Sequence, residues 1–353
     1  MGIARKKIDI LSGLFLTLLF TTSCSNRSDL FISGIAVQRR VKADAEINLS
    51  PSETIASDAL FTAKGILAKI DSFLVFSSGS SEYSFLVYNE NEDSVVLEFP
   101  KKGRGPDEQT VSSITQVRRD NGSVEIDILG LNEHSIMTMD FYRSIEKQHV
   151  EVIRKTELPP NTTYVHTSDD TVAGIVLFDE YDYSLQLFDV GSMERKGTFL
   201  PFSPDANSGF ITGTCLMKDD GTKCLWAMQW MDKFNILDLN NADRSASYST
   251  SLETMPDLQL YDHIKDMPPA YVTAYYTSAR VTDSDIYLLY SGFSIDEADK
   301  MTQMEIQNFS WDGRYKNRYI ISEIIDSFVV SDDGSAIYGY SWNESKLYKY
   351  NLR

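Results

Sequence analysis

Ser327-Phe328-Val329-Val330-Ser331-Asp332-Asp333-Gly334-Ser335-Ala336-Ile337-Tyr338-Gly339-Tyr340 is a hairpin spelled out in sequence. A β-branched and aromatic run meets an Asp-Asp-Gly turn, and a second such run returns. Glycine supplies the positive φ that a tight reversal demands. Asn343-Glu344 turns the chain again, and Lys346-Leu347-Tyr348-Lys349-Tyr350-Asn351 alternates as a third strand. The same punctuation stands upstream at Lys69-Ile70-Asp71-Ser72, Arg119-Asp120-Asn121-Gly122-Ser123, Ser168-Asp169-Asp170-Thr171, Lys218-Asp219-Asp220-Gly221-Thr222 and Thr282-Asp283-Ser284-Asp285. From Asp71 through Asp120, Asp169, Asp219 and Asp283 to Asp332 the steps are 49, 49, 50, 64 and 49 residues. A period near 50 built of short strands predicts an all-β fold, a six-bladed β-propeller.

The second copy predicts a complete four-stranded unit, with strands at Ile114–Val117, Val124–Ile128, Ser135–Met139 and His149–Ile153. A second ruler agrees, because third strands end at Asn89, Asp140, Asp189 and Asp238, with steps of 51, 49 and 49. The long step holds a Pro-bounded stretch, Met255-Pro256 to Pro268-Pro269, that reads as an insertion with a short helix at Leu258–Ile264. The last copy stops at Arg353 after three strands. The unpaired run Ala45–Leu49 is therefore expected to close the last blade, joining both chain ends in one sheet. The alternative is that residues 31–49 only tether the ring.

Arg5-Lys6-Lys7, the apolar run Ile10–Phe20 and Thr21-Thr22-Ser23-Cys24 follow the order of a secretory signal peptide, too short to span a membrane. The cysteine at the cut resembles a bacterial lipobox, although Phe20 and Thr21 depart from the leucine preferred there. The resemblance implies lipid attachment at Cys24 and a partner in the membrane reached through that anchor. The expected organisation is a signal peptide over 1–23, a tether over 24–43 and the propeller over 44–353. No acidic run follows the cysteine, which favours an outer-membrane anchor facing the periplasm over display on the cell surface.

The chain carries 33 Lys and Arg against 51 Asp and Glu, a net charge of −18. With Arg5, Lys6, Lys7 and Asp9 set aside, residues 24–353 keep 30 against 50, a net −20. Such a surface repels nucleic acid and argues against it as a partner. Cys215 and Cys224 flank the Asp219-Asp220-Gly221 turn. They form a disulfide if register sets them together and remain separate buried thiols if it does not. Neither zinc spacing nor an EF-type loop occurs, so no metal is expected. No cofactor motif is present either.

Cys24, the Lys102-Gly103-Arg104-Gly105-Pro106-Asp107-Glu108 loop, Phe309-Ser310-Trp311-Asp312-Gly313 and the ending from Phe328 to Tyr350 resemble the six-bladed, TolB-like β-propeller lipoproteins of Bacteroidetes. The resemblance covers most of residues 24–353. It implies a fold and an envelope location, with no activity attached. Gly103-Arg104-Gly105-Pro106 lacks the Lys-Ser/Thr end of a phosphate loop and reads as a turn between blades, with Gly103 and Gly105 in special backbone conformations.

The acidic turns belong to one face of the ring, away from the binding mouth. The opposite face should gather the blade-to-blade loops and the loops between second and third strands. Its candidate binding residues are Lys101, Lys102, Arg104, His134, Tyr181, Trp230, His263, Phe293 and Trp342. Aromatics at such a mouth can stack on sugars or on peptide side chains, and packing between blades is the structural alternative. The expected function is a non-catalytic, envelope-anchored module that binds a glycan, a peptide or an envelope protein. The rival is a carbohydrate-active hydrolase or lyase with its site at the mouth. It would draw on Asp179, Glu180, Asp182, Asp262, His134, His166 or His263, whose spacing singles out no pair.

Overall fold

A computed structural model of the chain describes residues 37–105, 107–120, 122–159, 162–168, 171–178, 182–189, 192–199, 213–250 and 272–352. Three short strands come first: β1 (Val37–Arg40), β2 (Ala45–Leu49) and β3 (Glu53–Ala56). A first sheet follows as β4 (Ala63–Ile70), β5 (Phe73–Ser78), β6 (Tyr83–Asn89) and β7 (Ser94–Lys101). The second holds β8 (Ser112–Asp120), β9 (Ser123–Gly130), β10 (Ser135–Asp140) and β11 (Glu151–Glu157). The third holds β12 (Thr162–Ser168), β13 (Thr171–Phe178), β14 (Asp182–Asp189) and β15 (Arg195–Phe199). The fourth is built from β16 (Gly213–Met217), β17 (Lys223–Met228), β18 (Phe234–Asp238) and β19 (Ala246–Ser249). The fifth is built from β20 (Thr273–Val281), β21 (Asp285–Ser294), β22 (Met304–Ser310) and β23 (Tyr315–Ile321). β24 (Ser327–Val330), β25 (Ala336–Ser341) and β26 (Lys346–Asn351) end the chain.

The described strands form six sheets, each built on an antiparallel meander; the fourth and fifth carry a further parallel outer strand and the last takes its outer strand from β3. Apolar faces of consecutive sheets pack on one another. Val75, Phe85 and Phe99 of the first meet Ile126, Ile128 and Met137 of the second. Leu129 and Ile136 of the second meet Phe188 of the third, and β12 lies beside β16. Phe234 of the fourth packs against Phe309 of the fifth at 4.6 Å between ring centroids. Leu289 and Ile306 of the fifth meet Phe328 and Tyr350, and Val329 and Tyr340 return to Leu74 and Phe76 of the first. Sheets that pack face to face in sequence and come back to the first make a β-propeller, whose inner strands line the axis and whose outer strands form the rim.

Local chemistry repeats around the ring. In the first turns Asp71 takes φ 48°, Gly122 88°, Gly221 67° and Gly334 63°. Asp220 and Asp333 accept hydrogen bonds from the amides of Thr222 and Ser335, so these acids cap their own turns. Third strands end on a capping side chain. Asn89, Asp189 and Asp238 accept from the amides of Asn91, Ser192 and Asn240, and Asp140 from Arg143.

Four expectations need correction. β2 does not close the last sheet. It runs parallel along β23 at the outer edge of the fifth, and β3 completes the last sheet by pairing antiparallel with β26. β1, expected inside the tether, runs parallel along β19. The N-terminal segment therefore wraps the rim of three consecutive sheets. In the second sheet the last strand begins at Glu151, because Asp140 caps a helix, α1 (Phe141–Lys147), that occupies the connection. Finally, neither Gly103 nor Gly105 adopts positive φ. A Cβ on Gly103 would lie 1.9 Å from the end of the Glu108 side chain, which would have to move aside. The insertion at 255–269 lies outside the described residues.

Candidate functional site

The meander sorts the loops. First turns and third-to-fourth connections share one face, while second-to-third loops and inter-sheet connections share the other. Asp71, Asp219, Asp283 and Asp332 fall on the first of these. There the Arg119 guanidinium bridges Asp71, at 3.3 Å, and Asp332, linking turns of three sheets. The Tyr142 hydroxyl donates to Asp71 and, with Arg119, holds that carboxyl below its ordinary range. Asp219 is different. Partial removal from water and the charges of Asp283 and Asp220 raise it. An acid raised on folding costs stability wherever it must ionise. Asp219→Asn is therefore expected to raise the melting temperature at neutral pH. The gain should fade as pH falls through and below the carboxylate range. A gain that persists in acid would contradict this origin.

The opposite face carries an exposed aromatic site where the first and last sheets meet. Ser57 caps the short turn Asp58–Leu60 by accepting from the Ala59 amide at 3.2 Å. Leu60 is fully buried, and the Tyr340 hydroxyl donates to the carbonyls of Leu60 and Ala63, each at 3.2 Å. This pins the turn and leaves the next residue, Phe61, 77% exposed. Across the seam Trp342 is 48% exposed in the loop between β25 and β26. Its amide donates to the Asp326 carboxylate at 2.7 Å, and the Asp326 amide donates to the Tyr340 carbonyl at 2.8 Å. The Lys64 ammonium lies 4.1 Å from the centre of the Trp342 ring. Two outward aromatic surfaces, one cation and one carboxylate are thus held on a braced backbone.

Among the sequence candidates, Lys101, Lys102, Arg104, His134, Trp230, Phe293 and Trp342 belong to this face, spread over five sheets. Lys101 and Arg104 are exposed, whereas the Lys102 ammonium donates to the Ser80 carbonyl at 2.5 Å. The Gly105 amide donates to Glu108 at 2.9 Å, so an amide that a phosphate would need is already committed. His134 sits in a turn at φ 47° and is exposed. Trp230 is half-buried. Phe293 is part of β21, opposite Ala274, and is half-buried rather than presented on a loop. Cys24, Tyr181 and His263 lie outside the described residues, as do Asp179, Glu180 and Asp262. Phe61 and Lys64 were missed from sequence because exposure here comes from burial of the neighbouring Leu60.

Cys215 pairs with Trp226 and Cys224 with Met217. This register puts both thiols on one face, diagonally, with sulfurs 3.2 Å apart, buried and free. The Cys224 thiol and burial push Cys215 well above its ordinary range. Among the described residues no three of His, Cys, Asp and Glu gather as a metal set.

Topology and packing define a β-propeller with a loop-built face. In structure the chain is similar to a member of the DUF4221 family from Bacteroides vulgatus, at TM-score 0.57 and 11% identity over 86% of this chain and 97% of that one. It is also similar to a Bacteroides fragilis protein assigned as exported, at TM-score 0.52 and 14% identity over 86% and 87%. At these identities the likeness is one of fold. No protein-family model and no curated sequence matches the chain.

Proposed function

We propose that this chain is a lipid-anchored, six-bladed, TolB-like propeller of the bacterial envelope. In this reading it acts without catalysis and binds a glycan, a peptide or a partner protein through its loop-built face. The observation that carries the reading is two exposed aromatics on one face, Phe61 and Trp342, with the Lys64 ammonium over the Trp342 ring. The flat apolar surface each presents suits the face of a sugar ring or an apolar side chain. Carbohydrate is favoured, because the cation and carboxylate at the rim supply hydroxyl partners. The six sheets support the blade count.

On glycan and peptide arrays, Trp342→Ala and Phe61→Ala are each expected to weaken retention about tenfold, the scale of one lost stacking contact. Equal retention by wild type and both variants would exclude this face.

The envelope half of the reading is supported by Arg5-Lys6-Lys7, the apolar run Ile10–Phe20 and Ser23-Cys24. The export assigned to the Bacteroides fragilis protein agrees with it. Lipid at Cys24 would hold the propeller at the outer membrane facing the periplasm. Cys24→Ser is then expected to abolish labelling by radioactive palmitate and to move the protein from the membrane to the soluble fraction. A labelled, membrane-bound variant would contradict the anchor.

A further inference from the structure

β16 and β17 form a hairpin around Asp219-Asp220-Gly221, with Cys215 on one arm and Cys224 on the other. Cys215 stands opposite Trp226 and Cys224 opposite Met217, so the two cysteines are diagonal neighbours on one face of the sheet. Diagonal side chains meet where the twist of the strands leans them together. Here the sulfurs lie 3.2 Å apart, closer than the about 3.5–4.0 Å between resting carbon atoms, which are smaller than sulfur. Both residues are buried, Cys224 completely. The chain has three cysteines, and the anchored reading commits Cys24 to lipid, so each of this pair has only the other as a partner. β16 is also the inner strand of the fourth sheet. It is five residues long, and among the described strands it pairs with β17 alone.

We propose that Cys215 and Cys224 become a disulfide that fastens the inner strand of the fourth sheet to its neighbour. In the cell the step rests on the envelope reading, since that compartment oxidises thiols. Two S–H bonds break and one S–S bond forms. The two electrons and two protons pass to the disulfide of a thiol–disulfide oxidoreductase, which opens to two thiols. Burial sets the timing. The neighbouring Cys224 thiol and burial push Cys215 well above its ordinary range, so the packed thiol is inert. The two residues are only nine positions apart, and a hairpin forms in about 1–10 μs, long before an all-β ring is complete. Oxidation therefore belongs to the hairpin stage, and packing of the sheets then shields the bond.

Peptide mapping of the full chain tests it. Protein from the envelope fraction is quenched in acid, unfolded in urea, alkylated with iodoacetamide without reductant and cut with trypsin. Fragments 197–218 and 224–233 are expected joined by one S–S bond, with 219–223 released between them. Alkylation of Cys215 and Cys224 should fall about tenfold or more below that of a reduced sample. Envelope protein in which both are alkylated as fully as in the reduced sample overturns the proposal. A second arm does not depend on the compartment. The full chain, reduced and unfolded, is refolded in mild detergent with reduced and oxidised glutathione, and the same joined fragments are expected. Free thiols, glutathione adducts or a bond from either residue to Cys24 would overturn the pairing. Joined fragments there, from a chain that stays in the cytoplasm of the cell, would support the pairing and fail only the envelope reading.

Discussion

A chain that begins at Ser57 is expected to leave a size-exclusion column as aggregate, while one that begins at Val37 elutes as a folded monomer. The shorter chain lacks β1, β2 and β3, which cover the outer edges of the fourth, fifth and last sheets. Removing them exposes three rows of unpaired backbone groups on consecutive sheets, the kind of edge that recruits other chains. The last sheet loses most. Ile55 pairs with Leu347 and packs on the cluster that joins the last and first sheets. Ser52 also ties to the carbonyl of Lys349 through both its amide and its hydroxyl, at 2.7 and 3.0 Å. Without these contacts the ring is no longer fastened by its own ends. A monomer of unchanged melting temperature from the Ser57 chain would show that the wrap is ornamental.

Phe309→Ala is expected to be the most damaging single core substitution. Phe309 is fully buried between the fourth and fifth sheets, with Tyr315 stacked at 4.4 Å and Phe234 tilted at 4.6 Å between centroids. Emptying such a site costs about 3–5 kcal/mol in transfer and cavity terms. That is a large part of the roughly 5–15 kcal/mol by which domains are usually stable. Urea unfolding should show a midpoint moved far down, if any native baseline remains. A shift no larger than that of a surface substitution would mean that the two sheets do not meet there.

What could be read from sequence was what neighbouring residues decide among themselves. The Asp-Gly turns and the Asn and Asp residues that end third strands act through hydrogen bonds two or three residues away, so their period survives in the chain as a readable mark. The destination of β2 could not be read this way. Four of its five residues are exposed, so it carries no inward face to announce a partner, and β3 finds β26 across nearly the whole chain. The binding face was half legible for the same reason. Trp342 stands out by type, but Phe61 looks like any apolar residue beside Leu60, and only Tyr340, 280 residues away from Leu60, decides which of the two is buried.

A crystal structure of the chain from Val37 onward is expected to show six radial sheets, with Glu53–Ala56 antiparallel to Lys346–Asn351 as the outer strand of the last. A ring with any other number of sheets, or one whose last sheet is completed by a different segment, would contradict it.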